Sequence, residues 1–181
     1  MLLSLVASSP CRLAPHVLVR SVHIEARLLK LGIKLPPPPG PKANYSLACR
    51  SGDLVFLSGH LPMKADGSGM VTGVVNGTGV NGGKTTKEGY DAARLVGLNL
   101  LATLKNELGD LDKVEQVVKV LGVVNSATEF KDQPLVINGC SDLFMEVFEM
   151  PKGYHARSAI GVNTLPFDVS VEIEAIVRIK K

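Results

Sequence analysis

The sequence has few of the residues on which nucleic-acid binding depends. Its 181 residues include no tryptophan, and the aromatic content is only 4%. Surfaces that bind single-stranded nucleic acid need exposed aromatic rings on which bases stack, so this scarcity argues against such a surface. The formal net charge is only +3, and the longest basic run is the terminal pair Lys180-Lys181. Because nucleic-acid binders concentrate lysine and arginine in a patch or stripe, we expect no nucleic-acid partner.

Cysteines and long apolar runs are also scarce. The three cysteines, Cys11, Cys49 and Cys140, are odd in number and form no CxxC pair. This set fits neither a disulfide framework nor a structural zinc site, and it suits a reducing compartment. No apolar run approaches the ~20 residues of a membrane-spanning helix, so we expect no membrane partner. The hydrophobic fraction of 45% is ordinary for a globular protein, and a chain of this length can bury a core without metals or disulfides.

The first 24 residues contain no aspartate or glutamate, but they carry Arg12, Arg20 and several serines. Acid-free segments with arginine and serine are typical of organellar presequences. We therefore predict that residues 1–23 are an extension of this kind, which favours a mitochondrial location, with the cytoplasm as the alternative. An unstructured tail and a weak secretory signal are further interpretations that these residues leave open.

Proline marks the boundary of the predicted domain. Residues 25–35 favour a short helical turn, and the run Pro36–Pro41, broken only by Gly40, follows it. Such a run is extended and stiff, so residues 24–43 are interpreted as a helical turn with a proline-rich arm. The globular domain is then predicted over residues 44–181.

Two helices have strong local signals. The first is predicted over about Thr86–Leu108, where apolar residues recur at helical spacing. Thr85 and Glu88 form a capping box at its start, and Gly109 supplies the C-terminal stop. The second helix is predicted over residues 133–148, which also carry an apolar side.

Strands are predicted on both sides of these helices, over residues 45–50, 54–58, 114–124, 159–162 and 169–179. In the last of them aliphatic residues occupy every second position, the period of a strand. Glycines mark residues 67–83 as a loop or irregular hairpin, with a short strand at Met70–Val75. The order of elements predicts an α/β (α+β) fold in which two helices pack on one face of one mixed sheet. The open face of such a sheet needs cover, so we expect an oligomer.

Several motif-like stretches favour structural roles. Gly77–Gly82 matches GxGxxG, but the next predicted strand ends without the acidic residue of a dinucleotide site, and the glycines suit turns with positive φ. Cys140 falls on the apolar side of a helix, which favours a buried side chain over a nucleophile. His60 and His155 lack metal-ligand spacing to another histidine or carboxylate and are interpreted as hydrogen-bonding groups. We therefore predict no metal site and no cofactor.

Two charged residues stand beside strands. Glu172 lies within the last strand, on the face opposite the aliphatic stripe, and Arg157 just precedes another predicted strand. The pattern alone favours a solvent-facing glutamate and a surface salt bridge, and it does not bring the two residues together. Their segments nevertheless resemble the C-terminal signature of the YjgF/RidA family. The matching stretches are His155–Val162, Leu165-Pro166 and Val171–Ile176.

The resemblance extends upstream. Gly52–Pro62 is similar to the family's early strand and Ser-Gly turn, and Pro36–Tyr45 is similar to the start of its longer branch, which is labelled endoribonuclease L-PSP-like or chorismate-mutase-like. The match runs in order over about residues 25–179. It implies a chorismate-mutase-like α/β sandwich that assembles as a homotrimer, with three sites in clefts between the subunits.

The resemblance also implies an activity, which is hydrolysis of reactive enamines and imines to ketones and ammonia without a cofactor. Arg157 matches the arginine that clamps the substrate carboxylate through charge-assisted bonds. Glu172 matches the carboxylate that orients water for attack on the imine carbon. Other residues match groups that line the cleft, namely Tyr45, Ser58, Gly59 and Asn138.

Two departures from the family pattern leave alternatives open. Ala159 stands where the short members have cysteine, two residues after the arginine, and the loop 67–83 is longer than theirs. These departures leave open a cleft shaped for a different carbonyl or imine, or a chain that only binds a ligand. The first hypothesis is a deaminase acting on small 2-imino acids, and the alternative is a non-catalytic module that binds a 2-keto acid or a related carboxylate. An endoribonuclease is a further alternative, against which the weak charge patterning argues. A chorismate mutase would rest on fold similarity alone, which is a poor guide to function.

Overall fold

The computed structural model describes residues 23–40 and 43–180, so nearly all of the predicted extension 1–23 lies outside the described residues. The helices and strands of the described part are α1 (Ile24–Lys30), β1 (Ala48–Ser51), β2 (Leu54–His60), β3 (Val75–Gly77), β4 (Lys84–Thr85), α2 (Thr86–Leu108), β5 (Val114–Asn125), α3 (Gln133–Phe148), β6 (Ala156–Val162) and β7 (Val171–Ile179). None of these helices is long and apolar enough to span a bilayer.

One mixed sheet forms the centre of the fold. Its five strands have the order β1-β2-β7-β5-β6, in which β5 and β6 are parallel and the other neighbours are antiparallel. β7 lies in the middle, and its alternating aliphatic residues are at most 5% exposed because they face the helices. The structure thus confirms the predicted mixed sheet with α2 and α3 on one face. β3 and β4 form a separate parallel pair.

The two long helices have the predicted bounds, and their local signals act as expected. Thr85 Oγ1 accepts a hydrogen bond from the Glu88 N–H, while the Thr85 N–H donates to the Glu88 carboxylate at 2.8 Å. Gly109 ends α2 with a φ of 74°. The helices then pack so closely that a Cβ at Gly139 of α3 would overlap the carbonyl oxygen of Tyr90 in α2. Glycine at this position therefore permits the contact between the two backbones.

The predicted strand at Met70–Val75 is wrong. The strand in this region is β3, which begins only at Val75. Met70 forms an isolated antiparallel bridge with Met63, as in the predicted irregular hairpin, whereas the following residues bond to the turn before β7. Gly73, with a φ of 105°, donates its N–H to the Asp168 carbonyl at 2.7 Å. Asn76 then closes the loop that follows β3, since its Oδ1 accepts from the Gly79 N–H at 2.8 Å. The GxGxxG stretch is thus folded back onto Asn76, the residue that precedes it.

Other boundaries shift by a few residues. The first helix ends at Lys30 rather than near residue 35, and β1 begins at Ala48 rather than at Tyr45. β6 begins at Ala156, three residues before the prediction, because its pairing with β5 starts there. Arg157 consequently lies inside a strand.

Candidate functional site

Glu172 projects from β7 on the face away from the helices, since its neighbours Val171 and Ile173 are fully buried on the other face. The adjacent strand β2 has an irregular register between Leu57 and His60. The expected Ser-Gly turn is therefore an irregularity within the strand, at Ser58 and Gly59. A Cβ at Gly59 would overlap Oε1 of Glu172. Glycine is therefore what lets the carboxylate lie over this irregular stretch of backbone.

His60 holds the irregular stretch of β2 in place. The ring is only 2% exposed, with Nδ1 lying 2.6 Å from the Ser58 carbonyl oxygen and Nε2 lying 2.8 Å from Thr103 Oγ1. Burial lowers the pKa of His60, which favours a neutral ring. The Nδ1–H then donates to Ser58, and Nε2 accepts from the Thr103 hydroxyl. This geometry confirms that His60 is a hydrogen-bonding group, and it makes His60 a support of the irregular stretch beneath Glu172.

Four predicted site residues line one cavity of about 480 Å³, together with the apolar residues Leu61, Pro166 and Phe167. The four residues are Tyr45, Ser58, Gly59 and Glu172. The Ser58 hydroxyl donates to the Ser46 carbonyl at 2.7 Å, which ties the cavity wall to the segment that carries Tyr45. We call these four residues the Glu172 half-site.

The Glu172 carboxylate is partly buried and has a raised pKa. Partial burial raises its pKa, and the neighbouring charge of Glu174 raises it further. No donor in residues 23–40 or 43–180 forms a hydrogen bond with this carboxylate, so both oxygens are free to bind a ligand or a water molecule. A desolvated carboxylate with a raised pKa is suited to general acid–base chemistry.

Arg157 lies on the opposite face of the sheet. It pairs with Val120 of β5, which is fully buried beneath the helices. Its Nη1 donates to Oδ1 of Asn138 at 2.7 Å and to Oγ of Ser141 at 3.1 Å, both on α3. Within the described part of the chain, Nε and Nη2 make no hydrogen bond. One edge of the guanidinium fork is thus positioned by α3 and the other is available for a carboxylate.

A chain of hydrogen bonds continues behind Arg157. His155 Nε2 lies 3.0 Å from Ser141 Oγ, and His155 Nδ1 lies 2.7 Å from the carbonyl oxygen of Gly153. Burial lowers the pKa of His155, and the charge of Arg157 lowers it further. The neutral ring donates from Nδ1 and accepts the Ser141 hydroxyl at Nε2, which leaves a lone pair of Ser141 for Arg157. We call Asn138, Ser141, His155 and Arg157 the Arg157 half-site.

Ser141 was not predicted as a site residue, and His155 was predicted only as a hydrogen-bonding group. Two spacings held the missing signal. His155 stands two residues before Arg157, and such residues share a face once both lie on an extended segment. Ser141 stands three residues after Asn138, which places both on one side of a helix. Ala159, two residues after Arg157, lies on the same face of β6 and packs partly against the core.

The structure does not bring Arg157 and Glu172 together within one chain. Arg157 is aligned through Val120 with Ala175 of β7, whereas Glu172 is aligned with Val123. The two residues are therefore separated by roughly 10 Å along the strands and roughly 10 Å across them, and they point to opposite faces. Each chain presents two separate half-sites.

The open face of the sheet carries an apolar band beside Glu172. Phe56 of β2 is 41% exposed and Ile160 of β6 is 47% exposed. Between them lie Leu121, Val123 and Ile176, which are partly exposed on the same face. We call these five residues the apolar band. Its members are contributed by four strands, and the charged side chains of Lys119 and Glu174 lie among them on the same face.

Other candidate groups have structural roles or form no site. Cys140 is fully buried, and burial raises the pKa of its thiol, which confirms the prediction of a buried side chain. Within the described ranges, no group of three or more histidine, cysteine or carboxylate side chains is placed to hold a metal ion.

Comparison with known proteins finds matches that cover most of this chain. Residues 25–174 match the family described as "YjgF/chorismate mutase-like, putative endoribonuclease". Protein TCP17 of Trypanosoma cruzi is 42% identical over 161 residues, which cover 89% of this chain and 97% of that protein. The 2-iminobutanoate/2-iminopropanoate deaminase of Dermatophagoides farinae is 32% identical over 148 residues, which cover 82% of this chain and 95% of the relative.

A solved structure shares the fold. The crystal structure of Atu1372 from Agrobacterium tumefaciens, a protein described as having unknown function, has a TM-score of 0.75 and 43% sequence identity. The match covers 88% of this chain and 96% of that chain. The expected chorismate-mutase-like arrangement of helices and sheet is thereby confirmed.

Proposed function

Because the chain belongs to the YjgF/RidA family, we propose that it hydrolyses reactive 2-imino acids to 2-keto acids and ammonia. The observation that carries this proposal is the Glu172 carboxylate, which lies over Gly59 in a cavity and has a raised pKa. A relative with 32% identity is a 2-iminobutanoate/2-iminopropanoate deaminase, which supports the same chemistry.

The reaction requires one water molecule and one proton shuttle. Glu172 takes a proton from water as the oxygen attacks the imine carbon, and the C=N double bond becomes a C–N single bond. That proton passes to the nitrogen, which gives a carbinolamine. Glu172 then transfers the remaining hydroxyl proton to the same nitrogen, the C–N bond breaks as the C=O double bond forms, and ammonia and the 2-keto acid are released. A positioned general base contributes about 10²–10⁴-fold to such a step.

Arg157 supplies the anchor for the substrate carboxylate. Its Nε and Nη2 form the free edge of the fork, and Asn138 and Ser141 hold the other edge. A bidentate pair fixes the plane of the carboxylate as well as its position, which orients the adjacent imine carbon. Tyr45 and Ser58 line the cavity beside Glu172, and Ala159 lies beside Arg157.

We propose that the two half-sites meet between copies of the chain. Arg157 and Glu172 point to opposite faces of one sheet, so one substrate contacts both only if a second copy contributes one of them. The apolar band provides a surface for that copy, since Phe56 and Ile160 leave apolar side chains exposed on this face and exposed apolar patches favour association. A closed ring of three copies, the homotrimer, gives every Glu172 half-site a neighbouring Arg157 half-site.

The test measures imine loss with the purified full chain. A 2-imino acid is generated in situ, semicarbazide traps what remains, and we expect less trapped imine with protein than with buffer. Arg157→Ala and Glu172→Gln are expected to abolish the difference, while the matched controls Arg50→Ala and Glu129→Gln retain it. Trapping equal to buffer for the unmodified chain would contradict the proposal. Retained keto-acid binding in that case would favour the non-catalytic binding module.

A further inference from the structure

The turn that precedes β7 forms one wall of the Glu172 cavity and has an unusual backbone. Phe167 and Asp168 adopt φ values of 58° and 54°, in the left-handed region. Residues with a side chain rarely adopt this conformation, and two in succession persist only where the surroundings impose them. Phe167 is 63% exposed and contributes to the lining of the cavity.

The long glycine-rich loop holds this turn in place. The Asp168 carbonyl oxygen accepts from the Gly73 N–H at 2.7 Å, and the Ser170 hydroxyl donates to the Gly73 carbonyl at 2.7 Å. On the other side, Asn125 Nδ2 donates to Asp168 Oδ1 at 3.0 Å. These bonds fix the turn through two separate segments, so Phe167 is held at the cavity by more than its own strand.

The cavity is larger than the smallest 2-imino acids, and part of its lining is apolar. Leu61, Pro166 and Phe167 line it together with Ser58 and Gly59. The six non-hydrogen atoms of 2-iminopropanoate fill at most roughly 180 Å³, at about 30 Å³ for each water-sized group. That volume is less than half of the 480 Å³ in the cavity. An aliphatic or aromatic side chain of a larger acid that contacts Leu61, Pro166 and Phe167 would remove apolar surface from water.

We propose that Phe167 is a specificity-determining residue and that the site prefers 2-imino and 2-keto acids with an apolar side chain of four or more carbons. The proposal rests on the proposed function for the location of the substrate, and it adds the class of side chain. The 2-keto acid is the stable product of the same site, so the preference is measurable by binding without any reaction.

The experiment measures binding of pyruvate and of 4-methyl-2-oxopentanoate to the full chain by calorimetry. We expect the larger acid to bind at least about tenfold more tightly, because even one methylene group in an apolar pocket changes recognition by that much. Phe167→Ala is expected to reduce the ratio to about twofold or less, and Leu29→Ala, which removes an exposed apolar side chain from α1, is expected to preserve it.

The contrary outcomes are distinct. Equal affinities, no binding of either acid, or an unchanged ratio in Phe167→Ala would overturn the proposal. A changed mass of Phe167→Ala in light scattering would overturn it as well, because Phe167 would then belong to a contact between copies. If the binding preference is present but no imine is hydrolysed, the specificity proposal stands and the proposed activity fails. If 2-iminopropanoate is hydrolysed but the binding preference is absent, the proposed activity stands and the specificity proposal fails.

Discussion

The two faces of β7 have opposite characters. On the helix-facing side its aliphatic residues are at most 5% exposed and form the centre of the core. On the other side Glu172, Ile176 and Arg178 are partly exposed, and the carboxylate of Glu172 sits in a cavity with a raised pKa. Because successive side chains of a strand point to opposite faces of the sheet, the buried aliphatic residues and the partly exposed residues lie on separate sides. One strand thus supplies stability from one face, while the other face carries a desolvated charge that a purely stabilising surface would not favour.

Arg157→Ala is expected to have the largest effect on activity. Two charge-assisted bonds to a carboxylate, at about 1.5–3 kcal/mol each, correspond to a loss of about 10²–10⁴-fold in kcat/KM. Arg157→Lys restores little, because an ammonium group lacks the planar fork. Steady-state kinetics beside Arg50→Ala measures the effect. Activity within a few-fold of the unmodified chain would show that Arg157 does not bind the substrate.

Glu172→Gln tests whether the open face of β7 serves activity rather than stability. We expect kcat to fall by about 10²–10⁴-fold, while the free energy of unfolding stays equal or rises, because the ionised form of Glu172 is desolvated. The pKa of Glu172 is raised in the fold, so its ionisation costs stability as pH rises from the unfolded value, 4.5, through the folded value. The stability advantage of Glu172→Gln over the unmodified chain therefore vanishes at acidic pH. Urea unfolding at several pH values tests this, and a destabilised variant at neutral pH would contradict it.

Gly59→Ala tests the position of the carboxylate rather than its chemistry. The added methyl overlaps Oε1 of Glu172, and the flexible glutamate is expected to move aside. Small displacements of a reacting group cost up to about 10²-fold in rate, so we expect kcat to fall with little change in Tm. A large loss of Tm, or unchanged kcat, would contradict the arrangement of Glu172 over this irregular stretch.

Gly139→Ala probes the helix layer instead. Its methyl would overlap the Tyr90 carbonyl oxygen, which belongs to backbone and has no rotamer to change. Overpacking of this kind costs about 1–3 kcal/mol in the free energy of unfolding. Gly40→Ala, where an added Cβ meets nothing within 4 Å, is the matched control. Equal unfolding midpoints for the two variants in urea would show that the helices are not in such close contact.

Ser141→Ala is expected to have the smallest effect. It removes one of two groups that hold Arg157, and the loss of one hydrogen bond, about 0.5–1.5 kcal/mol, should raise KM by about 2–10-fold and leave kcat nearly unchanged. A change in kcat rather than KM would contradict a role in positioning Arg157.

The effect of His155→Gln on the free energy of unfolding is expected to depend on pH. The pKa of His155 is lowered in the fold, so the stability linked to its neutral ring is present above the unfolded value, 6.5, and is lost as pH falls through the folded value. The stability advantage of the unmodified chain over His155→Gln should therefore shrink between neutral and mildly acidic pH. A constant difference in the free energy of unfolding would show that His155 does not titrate in this way.

Much of the fold follows from local signals in the sequence. The capping box at Thr85, the stop at Gly109 and the alternation in β7 are properties of neighbouring residues, and the structure confirms the elements that they predict. The prediction of a strand at Met70–Val75 is wrong because partners of this segment, Asp168 and Ser170, lie far away in sequence. Local patterns do not encode such contacts.

For the candidate site as well, the sequence identified residues but not their arrangement. The family resemblance identified Glu172 and Arg157, but their placement on opposite faces depends on the register of β5 with β6 and β7. Register is a pairing property that one strand does not reveal. The spacings place Ser141 on the side of Asn138 and His155 on the side of Arg157, but the contacts between these pairs depend on α3 lying beside β6.

The central claim is that each site combines Arg157 from one copy with Glu172 from another, and complementation tests it directly. Arg157→Ala and Glu172→Gln chains are co-expressed with different tags, and mixed assemblies are purified through both tags. In a closed ring of three, every assembly that contains both variants has one cleft with both intact residues, which is about a third of its clefts. We predict that the mixed assemblies regain activity of that order, while each variant alone remains inactive. Mixed assemblies as inactive as the separate variants would contradict the shared cleft.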